Sequence, residues 1–195
     1  QENIAVASFG GVSIMSTVDD IEPIQKEFVG SLLCLAVSPA ADWIVSGKPD
    51  CSLQVFKIKD STRLEMQGFP RKVTDAQFDS SGLWLANNGA DEVTVWDFKG
   101  KGPKGRAPRS LPKHVYGGTA LAWHPTKAGV IATGDGAGMV RIWDVAKGAP
   151  EKPMPPMKRI KSYSSSEVRF ILWDSTGNNL VVCHADGAIY QESIA

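Results

Sequence analysis

One short word returns along this chain. Val140 to Asp144 reads V-R-I-W-D, Val93 to Asp97 reads V-T-V-W-D, and Leu53 to Lys57 reads L-Q-V-F-K. A second word lies upstream of each and occurs once more near the end: Val37-Ser38-Pro39, Phe78-Asp79-Ser80, Trp123-His124-Pro125 and Trp173-Asp174-Ser175. The second word recurs at intervals of 41, 45 and 50 residues, and the aromatic residue of the first at 40 and 47. A unit that returns at this period is one supersecondary unit stacked on copies of itself, because each copy is too small to cover its own apolar side. The two longer intervals hold Gly-, Pro- and Lys-rich connections, which read as insertions within the same unit.

Within each unit the pattern is short apolar runs between Gly, Pro, Asn and Asp turns, with almost no helical periodicity. The best unit predicts strands over Thr119–Trp123, Gly129–Thr133, Met139–Val145 and Pro155–Lys161, with a glycine-rich hairpin at Gly134, Gly136 and Gly138. The unit before it predicts Val73–Phe78, Leu83–Asn87, Glu92–Phe98 and Pro108–Pro112. Before that come Leu32–Val37, Trp43–Ser46, Ser52–Ile58 and Arg63–Gln67. The last unit predicts Glu167–Trp173, Asn179–His184 and Gly187–Glu192, without an outermost strand. At the start, Ile4–Ser8, Val12–Thr17 and Pro23–Val29 read as the last three strands of a further unit, without its innermost.

The Trp-Asp endings at this spacing resemble the WD-repeat family, and the resemblance covers almost the whole chain. It implies an all-β propeller with a partial first blade at 1–30, blades at 31–68, 72–113 and 117–161, and a last blade at 166–195 without its outer strand. About four blades plus a partial one make an incomplete ring, since a seven-bladed one needs roughly 300 residues at this period. The chain therefore reads as the C-terminal part of a longer propeller. Its ring would be completed by another segment or another chain. A compact four- or five-bladed closure is the alternative.

The resemblance also implies a structural hydrogen-bond set: a His before the first strand, a Ser or Thr on the second, an Asp in the next turn and a Trp on the third. His114, Thr133 and Trp143 match in the best unit, where Ala137 occupies the turn position. Ser46 and Asp50 match in the first full unit, where Phe56 replaces the Trp. Trp96 matches in the second, with Asn87 in place of Ser or Thr.

Composition narrows the classes of function. With 21 basic and 21 acidic residues the net charge is zero, which argues against a surface built for nucleic acid or anionic membrane. Cys34, Cys51 and Cys183 are odd in number and far apart, which points to free thiols in a reducing, intracellular setting, most simply the cytoplasm. No apolar run approaches the length of a membrane span.

No metal or cofactor is expected. Cys183 and His184 are adjacent, and adjacent strand residues face opposite sides, so they cannot share an ion. Asp97, Asp144 and Asp174 sit where Asp caps turns, and the glycines of the 134–138 hairpin are explained by turn geometry. Lys99, Lys101, Lys104, Arg106 and Arg109 form a basic strip among Gly and Pro, without an acidic residue. It reads as a solvated connection, or as a contact strip for an acidic partner. It has no aromatic residue for base stacking, which makes nucleic acid a poor fit.

The expectation is a non-catalytic scaffold that binds other proteins as a subunit of a larger assembly. In the family, partners sit on the loops before each first strand and the turns between the second and third. Here those positions include Lys48, Pro49, Phe69, Arg71, Lys72 and Tyr116. The alternative is an enzyme with a metal-assisted site in the propeller channel.

Overall fold

The computed structural model describes residues 3–18, 22–28, 30–60 and 62–194. These residues form five antiparallel sheets, each made of strands consecutive in sequence. The first sheet is β1 (Asn3–Ser8), β2 (Gly11–Ser16) and β3 (Ile24–Glu27). The second is β4 (Cys34–Val37), β5 (Trp43–Gly47), β6 (Leu53–Lys57) and β7 (Arg63–Met66). The third is β8 (Ala76–Phe78), β9 (Trp84–Asn87), β10 (Val93–Asp97) and β11 (Arg109–Leu111). The fourth is β12 (Gly118–Trp123), β13 (Val130–Asp135), β14 (Val140–Asp144) and β15 (Lys158–Ile160). The fifth is β16 (Val168–Trp173), β17 (Asn179–His184) and β18 (Ile189–Ser193). Val29, the expected end of the third strand, lies outside the described residues. Among the described residues a single 3-10 turn, Val145–Lys147, interrupts the all-β pattern.

Each sheet leans on the next, and the innermost strands β4, β8, β12 and β16 meet in succession about a common axis. Four apolar clusters fill the four seams. Between the first and second sheets lie Val12, Phe28, Ile44 and Phe56. The next seam holds Trp43, Val45, Val55 and Leu85, and the third Trp84, Val95, Ile131 and Trp143. The fourth holds Ala132, Ile142, Val168 and Leu180. Strand side chains alternate between faces, so Ile44 enters one seam while Trp43 and Val45 enter the other. Middle strands are therefore apolar on both faces and show little alternation in sequence.

Gly134 corrects one expectation. It lies within β13, not in the turn, and a Cβ there would stand 2.5 Å from Val168 Cγ1 of the next sheet. Its role is close sheet packing. Gly138, at φ 83°, is the hairpin residue that turn geometry requires.

The second repeated word has one physical meaning. Ser38 Oγ accepts from the backbone N–H of Asp42 and Trp43 at 3.1 and 3.0 Å. Asp79 Oδ1 accepts from Leu83 and Trp84 at 3.1 Å each. His124 Nδ1 accepts from Thr126 and Lys127 at 3.2 and 3.0 Å, and Asp174 Oδ1 from Asn178 and Asn179 at 2.9 and 3.3 Å. Three kinds of side chain cap the same turn between first and second strands. Asp79 also reaches forward, accepting from Gly129 N in the next sheet at 3.1 Å.

Two tryptophans tie successive inner strands together. Trp123 Nε1 donates to Gln77 O at 2.8 Å, and Trp173 Nε1 to Ala122 O at 3.0 Å. Each indole reaches back to the sheet before it.

The arc does not close into a ring. Ile4 and Val6 on the first sheet are 52% and 43% exposed. On the last, Phe170, Leu172 and Ile189 are 66%, 60% and 69% exposed. A register shift between Val168 and Phe170 puts Val168 and Ile171 together on the covered face, leaving Phe170 and Leu172 uncovered.

Candidate interaction face

Two sets of connections share one end of the arc: the loops leading into the inner strands, and the hairpins between second and third strands. They are bonded to one another. Leu33 N donates to Gly47 O, Arg71 N to Gly89 O, Gly136 N to Val115 O, and Ala185 N to Glu167 O. This end is therefore a continuous surface, not a fringe of separate loops.

Its centre is anchored from below by the fourth sheet. Trp143 Nε1 donates to Thr133 Oγ1 at 2.8 Å. Thr133 Oγ1 also lies 2.7 Å from His114 Nε2, so one hydroxyl bridges the indole and the imidazole. Burial, reinforced by the Arg141 charge, pushes the His114 pKa down to about 4. The sign of the resulting pH dependence follows. Above pH 6.5 neither the folded nor the unfolded chain holds this proton and stability is full. As pH falls from 6.5 toward 4 the unfolded chain takes it up first, so stability declines, by about 3 kcal/mol at the limit. Urea unfolding at pH 7.5 and pH 5 should show this loss in the natural chain and a shallower one in His114→Gln. Equal slopes would contradict it.

The turn acid of this unit is Asp135, not the position read as Ala137. Asp135 is fully buried. It accepts from the backbone N–H of Val115, Ala137 and Met139 at 3.1, 3.0 and 2.9 Å, and from Arg141 Nη1 at 2.8 Å. Burial by itself would raise its pKa, but the Arg141 guanidinium and the three amides outweigh it and hold the carboxyl below the usual range. The signal available in sequence was the hydroxyl-Gly-Asp-Gly run from Thr133 to Gly136.

The other members of the expected set are not assembled in the same way. Trp96 Nε1 and Thr94 Oγ1 both donate to Asn87 Oδ1, at 3.0 and 2.8 Å. Ser46 Oγ donates to Cys34 O at 2.7 Å, since Phe56 offers it no partner. Asp50 lies at the surface and pairs with Lys48 at 2.8 Å.

The candidate contact residues divide. Lys48 is buried and held by Asp50 and Glu65, so its charge is already neutralised within the protein. Phe69 is half-buried, edge-on to Trp96. Pro49 and Lys72 are exposed. Arg71 pairs with Asp91 and also donates to Tyr116 O at 3.5 Å. Tyr116 is 80% exposed with φ 60°, a left-handed backbone that a bulky residue adopts at a cost. Arg71 on its carbonyl, and Asp135 and Gly136 on Val115 before it, hold that conformation in place.

The basic strip is a packed connection. Gly102 and Pro103 are buried, and a Cβ on Gly102 would stand 2.8 Å from the Trp43 ring of the preceding sheet. Lys99 and Arg109 lie over the Trp84 ring at 4.9 and 4.4 Å. Arg109 Nε also donates to Gly148 O at 3.1 Å, and Arg106 pairs with Asp97 at 2.6 Å. Lys101 and Lys104 have no ion pair among the described residues.

Against the axis, β8, β12 and β16 border an open hollow of about 430 Å3 containing Asp75, Gln77, Thr119 and Arg169. Burial raises the Asp75 carboxyl, and the Gln77 amide donates to it. Among the described residues no three His, Cys, Asp or Glu side chains are placed to share a metal ion. Cys183 and His184 alternate between half-buried and buried on β17, and His184 Nδ1 faces Ser166 O at 2.8 Å. Among the described residues no helix is long and apolar enough to cross a membrane.

Residues 105–144, which contain His114, Thr133, Asp135 and Trp143, match the family described as WD domain, G-beta repeat. This stretch is a WD repeat, and the chain as a whole resembles the WD-repeat propeller family. THO complex subunit 3 of Arabidopsis thaliana is 29% identical over 43% of this chain and 27% of its own length. Nucleoporin Nup43 of Homo sapiens is 26% identical over 54% of this chain and 27% of its own. The matched stretch thus spans about a quarter of each of these WD-repeat relatives. A chain in a crystal structure of the mitotic checkpoint complex superposes with a TM-score of 0.75 at 20% identity, over 99% of this chain and 60% of that one. At that identity the likeness speaks for the propeller fold.

Proposed function

We propose that this chain is a non-catalytic protein-interaction scaffold of the WD-repeat type, a subunit of a larger assembly, contacting its partner through Pro49, Phe69, Arg71, Lys72 and Tyr116. The observation that carries the reading is Tyr116: an aromatic side chain exposed at 80% and held in a strained backbone by two neighbouring elements. Such strain persists only where the surroundings enforce it, and rigid Tyr and Arg side chains are common anchors of protein interfaces. Two of the relatives carry names that place them in multiprotein structures, a THO complex subunit and a nucleoporin.

The uncovered faces of the first and last sheets support a second part of the proposal. Further blades, from another segment or another chain, would bury Ile4 and Val6 at one end and Phe170, Leu172 and Ile189 at the other. The basic strip supports a protein over a nucleic-acid partner, because Lys99, Arg106 and Arg109 are already engaged within the molecule. The free thiols of Cys34, Cys51 and Cys183 fit a reducing intracellular compartment.

The test is affinity purification of the natural full-length protein. The partner should be retained by the natural protein and by Lys101→Ala, and reduced at least tenfold by Tyr116→Ser combined with Lys72→Glu. Retention of no partner, or retention indifferent to the double variant, would overturn the reading.

A further inference from the structure

The connection from β14 to β15 lies at the end of the arc opposite the interaction face, because strand direction alternates within a sheet. It carries Lys152-Pro153-Met154-Pro155-Pro156-Met157, and β15 opens on Lys158-Arg159. Each proline fixes its φ near −65°. Lys152, Met154 and Pro155 each precede a proline, which keeps them extended. The sequence thus favours a left-handed polyproline helix over 152–156, with three residues to the turn. In the structure residues 153–156 lie outside every strand, helix and turn. The stretch is held at both ends. Glu151 N donates to Pro108 O at 3.3 Å, and Met157 N to Ile142 O at 2.7 Å, where the chain enters β15.

A helix of this kind has three ridges, and burial tells which one the protein keeps. Met154 is 8% exposed and packs into the seam that holds Trp84 and Trp143. Gly148 makes room for it, since a Cβ there would stand 2.6 Å from Met154 Sδ. The other two ridges face outward: Lys152, Pro153 and Pro155 are exposed, and Pro156 is half-buried. The protein therefore grips the residue between two pairs, Lys152-Pro153 and Pro155-Pro156, and presents both pairs to solvent. Lys158 and the exposed Arg159 follow, and neither has an ion pair among the described residues. Lys158 Nζ reaches only the carbonyl of Ser193, at 3.4 Å.

We infer that residues 152–158 are a ligand for an SH3-type domain, with the two pairs seated in the aromatic-walled slots of its groove and Lys158 on an acidic residue at the end of that groove. Three features select this partner. Two prolines three apart on an exposed polyproline helix are what such grooves bind. A base two residues beyond the second proline suits an acidic end pocket, and a carboxylate holds Lys158 better than the Ser193 carbonyl does. The helix is already formed, so docking orders little chain. Lys152 stands where an apolar side chain fills the slot best, and its alkyl stem serves there. A phosphate surface is a poorer fit, because it leaves the exposed prolines without a contact. Pro150 and Pro153 repeat the spacing, but Glu151 between them has φ 59°, which no polyproline helix contains.

In this inference the chain is the ligand, not the receptor, and it is independent of the face around Tyr116. The test is binding of the chain to a panel of purified SH3 domains, with purified WW domains alongside, and titration of the tightest pair. An SH3 domain should bind. Its affinity should fall at least tenfold with Pro153→Ala combined with Pro156→Ala, and with Lys158→Glu, and stay unchanged with Pro150→Ala. A synthetic peptide of residues 149–160 should compete with the chain for that domain, and the same peptide with both alanines should not, which separates recognition from any change in folding. Binding by no SH3 domain, by WW domains alone, or equally well by the double alanine variant would overturn the inference. The chain with Tyr116→Ser and Lys72→Glu should bind the SH3 domain normally, so failure here leaves the scaffold reading standing, and failure there leaves this one.

Discussion

Asp135→Ala should destabilise the chain by about 3–5 kcal/mol, the range for breaking a buried ion pair from one side. The substitution does more than remove an attraction. It leaves the Arg141 guanidinium, 9% exposed, without its counter-charge, and it strands the amides of Val115, Ala137 and Met139. The measurement is urea or thermal unfolding, and for a chain of this size the drop should be on the order of 10 °C. Arg141→Met in the same background should recover part of the loss, because removing both charges leaves nothing unpaired. A single variant within about 1 kcal/mol of the natural chain would show that water fills the site and that the network is not a keystone.

The second large effect concerns two tryptophans that the sequence makes look alike. Trp143→Ala should cost about 3–5 kcal/mol and Trp96→Ala clearly less. Trp143 is fully buried among Leu121, Ile131 and Val145, so alanine opens a cavity in a seam between two sheets. Trp96 is only half-buried, and its indole bonds to Asn87, whose oxygen keeps Thr94 as a donor when the ring is gone. Unfolding of both variants in parallel checks the ranking. Equal losses would mean that position in the repeat, not burial, sets the cost.

The contrast shows what can be read from residues alone. The Trp-Asp words marked the third strands because an aromatic followed by a turn acid recurs wherever a sheet repeats. The Ser38, Asp79, His124 and Asp174 word was visible as a pattern, but its function as a shared turn cap was not, since a serine, two aspartates and a histidine have little in common beyond an accepting atom. Asp135 was missed for a related reason. Counting back from the Trp points to the hairpin apex at Ala137, whereas the carboxylate that serves the hairpin sits at the end of the strand and reaches forward. Lys48 and the 99–109 strip show the opposite limit. A lysine in a hairpin and a run of cations between glycines look solvated in one dimension. In three dimensions they meet Glu65, Asp97 and the face of Trp84. Which charges are spent inside a molecule depends on which sheet lies alongside, and the repeat period does not carry that information.

The backward reach of Trp123 and Trp173 gives the arc a direction. Each of these sheets is latched to its predecessor by the indole it supplies, so the latch travels with the later sheet. The fifth sheet holds on to the fourth, but no later indole among the described residues grips it in turn. Loosening the fifth sheet would release its own latch while leaving the one between the third and fourth in place. Val37 and Phe78 hold the equivalent positions in the second and third sheets and carry no indole, so among the described residues this latch secures only the fourth and fifth sheets, and the two earlier seams rest on apolar packing.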